Sequence, residues 1–173
     1  MNETTTPHDN DEYAQLVLDG LQAGAAIKDL HGVSEDMLEG VYAYAHRFYS
    51  NGELDKAETF FRFLCLYDFY NGEYALGLGA VYQMQRHYQK AIDMYAVAFA
   101  LTRADYRPML HVGQCHLALG RLVLAGECFQ SVIAHGKDAA LSERAQVYLQ
   151  AMDAANDARP VPTSPHSATP DSA

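Results

Sequence analysis

The chain has 173 residues, enough for one domain with a sizeable core and too few for two ordinary ones. Its 22 acidic and 12 basic side chains leave a formal charge of −10. That balance excludes a nucleic-acid duplex or an anionic membrane surface as the main partner, because both require clustered Lys and Arg. The longest uncharged stretches, residues 74–85 and 108–120, fall short of the roughly 18 apolar residues of a membrane helix. No basic segment followed by an apolar one opens the chain, so no secretory signal is expected. Cys65, Cys115 and Cys128 are odd in number and lack paired spacing, as free thiols of a reducing compartment do. The expectation is a soluble cytoplasmic protein.

Residues 1–10 are polar and are expected to be loose. Residues 11–33 follow as an N-terminal helix and linker. Tyr13, Leu16, Val17, Leu21, Ile27 and Leu30 fall mostly at helical spacing, on a helix weakened by Gly20 and Gly24. Ser34 is a good N-cap, and Glu35 and Asp36 suit a first turn, so the next helix is predicted to begin there.

From there the chain repeats itself. Ala57, Ala91 and Ala125 are spaced by 34 residues, as are Ala45, Gly79 and Gly113. The same step links Phe48, Tyr82 and His116, then Leu54, Tyr88 and Leu122, then Phe61, Tyr95 and Phe129. A period of 34 with alternating small and aromatic landmarks is that of paired antiparallel helices in the tetratricopeptide repeat (TPR). Small side chains let two helices approach closely, and the aromatics fill the space beside them. The predicted fold is an all-α TPR solenoid of three helix pairs, at about 38–71, 72–105 and 106–139. Asn51-Gly52 and Gly120 suit the turns within pairs. Arg86 stands where glycine is usual, and Phe69, Arg103 and Lys137 stand where a repeat normally closes with proline. Residues 140–157 follow as a C-terminal capping helix, with Leu141, Ala145, Tyr148, Leu149 and Met152 on one face. Residues 158–173, rich in Pro, Ser, Thr and Ala, are expected to form a disordered tail.

Function in such a solenoid belongs on the concave face, lined by the first helix of each pair. The groove-facing slots fall at Tyr42, His46 and Tyr49, at Leu76, Ala80 and Gln83, and at Leu110, Gln114 and Leu117. These slots carry no basic residue, which argues against gripping a C-terminal carboxylate. A contiguous apolar and aromatic trough marks an interaction surface. The alternative is that the N-terminal helix folds into the trough and makes these residues core. His111 and Cys115 at i, i+4, with His116 and Cys128 nearby, are the only group suggestive of a metal, and they lack CxxC or HExxH spacing. No phosphate-binding loop or nucleophile motif is present. Neither a metal, a cofactor nor an enzymatic activity is expected.

Several runs carry a more specific likeness. They are Leu64-Cys65 with Asp68 and Tyr70; Leu76-Gly77-Leu78-Gly79-Ala80 with Gln83, Tyr88, Ala91-Ile92 and Tyr95; and Pro108, His111, Gly113-Gln114-Cys115 and Leu117 with Glu127-Cys128-Phe129 and Val132-Ile133. From about Ile27 to Ile133 the chain resembles the class II chaperones of bacterial type III secretion. The resemblance implies a small acidic cytoplasmic homodimer that holds hydrophobic pore-forming translocator proteins before export. It implies that an extended cargo segment lies in the groove, with Pro and Leu side chains in pockets walled by Tyr42, Tyr49, Leu76, Leu110 and Leu117. By the same resemblance Leu16, Val17 and Leu21 contribute to dimerisation, and some members assist a transcription activator once cargo has left. The competing readings are a TPR adaptor joining soluble proteins, or a transcription co-activator acting through a protein partner.

Overall fold

In the computed structural model, which describes residues 27–157, the 34-residue period becomes a stack of helical hairpins. A short α1 (Ile27–His31) precedes three pairs. These are α2 (Glu35–Ser50) with α3 (Leu54–Tyr67), α4 (Gly72–Met84) with α5 (Tyr88–Thr102), and α6 (Arg107–Ala118) with α7 (Leu122–His135). A longer α8 (Ala139–Asp157) closes the described chain. From α2 onward each helix packs on its neighbours in sequence, α1 packs on α3, and direct contact also joins α2 to α4 and α6 to α8. The first helices thus form the inner layer of a solenoid, and the second helices form the outer one. Leu16, Val17 and Leu21, with most of the helix expected around them, lie outside the described residues, as do residues 1–10 and 158–173.

Local signals act where expected. Ser34 caps α2, its Oγ accepting from the Met37 N–H at 3.2 Å, with Glu35 and Asp36 in the first turn. Pro108 lies in the first turn of α6, where a missing N–H is harmless. Lys28 ties α1 to the body through ion pairs to Asp68 (2.7 Å) and Glu35 (2.5 Å). Those carboxylates raise the Lys28 pKa further above the usual lysine range.

The repeat landmarks close-pack. Ala45, Ala57, Ala91 and Ala125 are fully buried, as are Phe61, Tyr95 and Phe129. A Cβ on Gly79 would stand 2.7 Å from the Tyr95 ring, and one on Gly113 would stand 2.6 Å from the Phe129 ring. Phe61 is the exception: its ring meets Gly77 of the following pair, at 2.1 Å from where a Cβ would lie. Glycine is therefore required here by close approach rather than by backbone conformation.

Two of the four departures from the repeat pattern have a backbone consequence. The turns within pairs place Gly52, Arg86 and Gly120 at φ of 76°, 62° and 71°. Arg86 is thus a non-glycine residue in a left-handed slot. Arg103 ends α5 at φ 48°, a value that proline, locked near −65°, cannot adopt. The residue in place of the usual proline therefore matches the turn actually formed.

Two substitutions at these positions have opposite expected signs. Arg86→Gly removes left-handed strain on the order of 1 kcal/mol, partly offset by the freer unfolded chain, and should raise the urea midpoint. Gly79→Ala forces the pinned Tyr95 ring to move and should cost about 1–3 kcal/mol. Equal effects in urea titrations would contradict the packing described.

Candidate groove on the inner helices

The predicted slots line the inner layer, with one exception. Tyr42, Tyr49, Leu76, Ala80, Gln83, Gln114 and Leu117 are half-buried, and His46 is exposed. Leu110 is fully buried, packed with Ala125, Phe129, Val132, Leu141 and Ala145. It is a core residue and not a groove wall, because α7 and α8 close over its side of α6.

At the α2 end the surface is aromatic. The Tyr42 ring lies 4.6 Å from His46, 5.4 Å from Tyr74 and 6.0 Å from Phe61, between ring centroids. Phe61 also meets His46 edge-on at 5.7 Å. A buried wedge ring thus supports half-buried Tyr42 and exposed His46 above it. Burial, and to a lesser degree the Glu73 carboxylate, pushes the Tyr42 phenol up, so it stays neutral.

The other end is more polar than an apolar trough predicts. The Tyr95 hydroxyl donates to Gln83 Oε1 at 2.7 Å, and Gln83 Nε2 donates to Gln114 Oε1 at 3.1 Å. Gln114 Nε2 then donates to the Tyr148 hydroxyl at 2.9 Å. His111 Nδ1 lies 3.0 Å from Gln114 Oε1, which fixes its proton on Nδ1, and its ring stacks on Tyr95 at 5.1 Å. The ladder starts on α5 and crosses α4, α6 and α8. It borders a cavity of about 330 Å³ lined by Gln83, Gln114, Leu117, Ala118 and Tyr148. A second, mainly apolar cavity of about 360 Å³ shares Leu117 and is lined further by Leu122, Ala151, Met152, Ala155 and Asn156.

Sequence reasoning assigned Tyr148 and Met152 to a cap and missed their place in the groove. The signal was available: Tyr148 stands 34 residues after Gln114, so α8 continues the register of the first helices. Among the described residues no three His, Cys, Asp or Glu side chains gather as a metal site would require. Burial pushes the thiols of Cys65 and Cys115 up to about 11 and about 12 and raises that of Cys128, which keeps all three protonated and poorly nucleophilic. Among the described residues no helix is long and apolar enough to cross a membrane.

A helical-repeat solenoid whose inner layer is aromatic at one end and hydrogen-bonding at the other defines the class, a TPR protein. The tetratricopeptide repeat family matches residues 38–71 and 73–105. The chain is 48% identical over 145 residues to the chaperone protein SicA of Salmonella typhimurium, covering 84% of this chain and 88% of that one. The crystal structure of PcrH with the chaperone-binding region of PopD is 36% identical, with a TM-score of 0.67 over 73% of this chain and 98% of that one. The type III secretion translocator chaperone SycD of Yersinia enterocolitica is 31% identical, with a TM-score of 0.68 over 73% of this chain and 98% of that one. The chain belongs to the TPR chaperones of type III secretion, a family of chaperones and not of enzymes.

The groove histidine makes stability depend on pH. His111 is held below the ordinary imidazole value, chiefly by burial and in part by Arg144 and Arg107. The unfolded chain takes up its proton near pH 6.5 while the folded one refuses it, so stability falls as pH drops below about 6.5. His116 shifts the same way, through burial and then Arg121. The stability lost between pH 7.5 and 5.5 should be smaller in His111→Phe, which keeps a ring against Tyr95. Identical losses in urea titrations at the two pH values would contradict this.

Proposed function

We propose that this chain is a cytoplasmic chaperone that holds an extended segment of hydrophobic, pore-forming translocator proteins in its inner groove, keeping them soluble and unassembled before export. The observation that carries the reading is the 48% identity to SicA over most of both chains. The PcrH complex with the chaperone-binding region of PopD supports it from a second relative. Tyr42, His46, Tyr49, Leu76, Ala80, Gln83, Gln114 and Leu117 form the binding surface in this reading.

The energetics suit a chaperone that must let go. Burying three or four apolar anchors at about 1.5–3 kcal/mol each gives a gross gain near 5–12 kcal/mol. Ordering an extended segment costs on the order of 1–2 kcal/mol per residue, so net affinity is moderate. A groove without Lys or Arg among its slots selects by shape and apolarity and not by charge.

The chain acts as a homodimer in this reading, as SycD is described as a dimer. Leu16, Val17 and Leu21 supply part of that contact. On the outer side of the first pair, exposed Met37, Tyr44 and Leu66 and a cavity of about 210 Å³ lined by Val41, Thr59, Phe60 and Phe63 offer apolar surface for it.

Affinity capture of the tagged protein from its own bacterium, beside Leu76→Glu and Tyr49→Glu, tests the reading. Each variant places an unpaired charge in the groove and should lose secreted proteins with long apolar segments while its circular dichroism is unchanged. Retention of every partner by both variants would move the site elsewhere and favour an adaptor using the outer face.

A further inference from the structure

We infer that α8 carries a further subsite for the extended ligand, in which the Tyr148 hydroxyl donates to a main-chain carbonyl and the adjoining cavity receives a neighbouring apolar side chain. The inference rests on the peptide-groove reading above and concerns where on the groove the ligand's backbone is read.

The hydrogen bonds of the ladder run in one direction. Tyr95 is buried and its phenol is pushed far up by that burial, so its proton stays in place and is donated to Gln83 Oε1. Gln83 Oε1 accepts, so its amide nitrogen donates onward to Gln114 Oε1. That oxygen also faces His111 Nδ1 and accepts from both. Gln114 Nε2 then donates to the Tyr148 oxygen. Among the described residues no acceptor takes the Tyr148 proton, so the chain of donors ends in an O–H at the edge of the cavity it lines. Each link polarises the next, which makes the terminal hydroxyl a better donor than an isolated phenol.

The donor is also held in place. The Tyr148 ring stacks on buried Phe129 at 4.9 Å and 8° between planes, so little side-chain entropy is left to lose on binding. The cavity before it, at about 330 Å³, is open enough for a peptide unit. Leu117 joins it to the second cavity, whose wall of Leu122, Ala151, Met152 and Ala155 matches an aliphatic side chain. No lining residue of either cavity is charged. The chemistry fits an uncharged backbone acceptor beside an apolar side chain, in a segment that is extended because its carbonyl must be free of helix or sheet partners.

The probe is a synthetic peptide of the PopD chaperone-binding region, titrated calorimetrically into the full chain. Tyr148→Phe keeps the stacked ring and removes the hydroxyl, both the donor to the ligand and the acceptor of the Gln114 bond, and should weaken binding about fivefold to tenfold. Met152→Gln, similar in size but polar, should weaken it as well. Replacing peptide amides one at a time by esters, whose carbonyls accept poorly, should reveal a position that matters to the wild type and not to Tyr148→Phe. A purely structural role for Tyr148 would produce no such coupling. If Leu76→Glu abolishes binding while Tyr148→Phe and Met152→Gln bind as the wild type does, the subsite is overturned and the groove reading stands. If the wild type does not bind the peptide, the reading and the subsite fall together.

Discussion

Everything in this molecule hangs on an aromatic ring wedged against a glycine, repeated along the chain. Tyr95 against Gly79 and Phe129 against Gly113 hold the two helices of a pair so close that a single methyl group would not fit. Phe61 against Gly77 uses the same device between one pair and the next. Such contacts fix helix spacing to a fraction of an ångström, because a close-packed interior accommodates added volume only by moving its neighbours. The inner layer, and therefore the groove, takes its curvature from them.

The same rings are the underside of the groove. Phe61 supports Tyr42 and His46, Tyr95 carries His111 on its face and Gln83 on its hydroxyl, and Phe129 stacks beneath Tyr148. Packing and recognition are therefore not separable here. A residue that holds two helices together also positions a side chain of the inner surface, and loosening one loosens the other. The surface that results is aromatic at the α2 end and hydrogen-bonding at the α8 end, with uncharged cavities toward α8, on a protein whose net charge is −10. That charge lies outside the linings of these cavities.

Much of this was legible in the sequence because periodicity constrains every copy at once. The step of 34 located the helix pairs, the small residues and the wedge rings, and Ser34 announced the start of α2. The failures have physical causes. Leu110 occupies a slot that faces the groove in the repeat template, but α7 and α8 cover it, and a template of isolated repeats carries no information on what a later helix buries. Tyr148 was read as part of a cap because the landmarks of a complete pair stop at residue 139, although its own spacing from Gln114 kept the period. The groove was expected to be apolar because its Tyr and Leu slots carry no basic residue, and Gln83 and Gln114 stand far apart in sequence. Their meaning appears only when Gln83 and Gln114, on different helices, are brought within 3.1 Å.

The central claim is that the inner groove, and not the outer helices, holds the peptide. A photo-crosslinking residue placed at Leu117, and separately at exposed Val97 on α5, measures this directly with the PopD chaperone-binding region as ligand. The account predicts a covalent adduct from position 117, mapping by mass spectrometry to one short extended stretch of the peptide, and none from position 97. An adduct from position 97 with none from position 117 would contradict it.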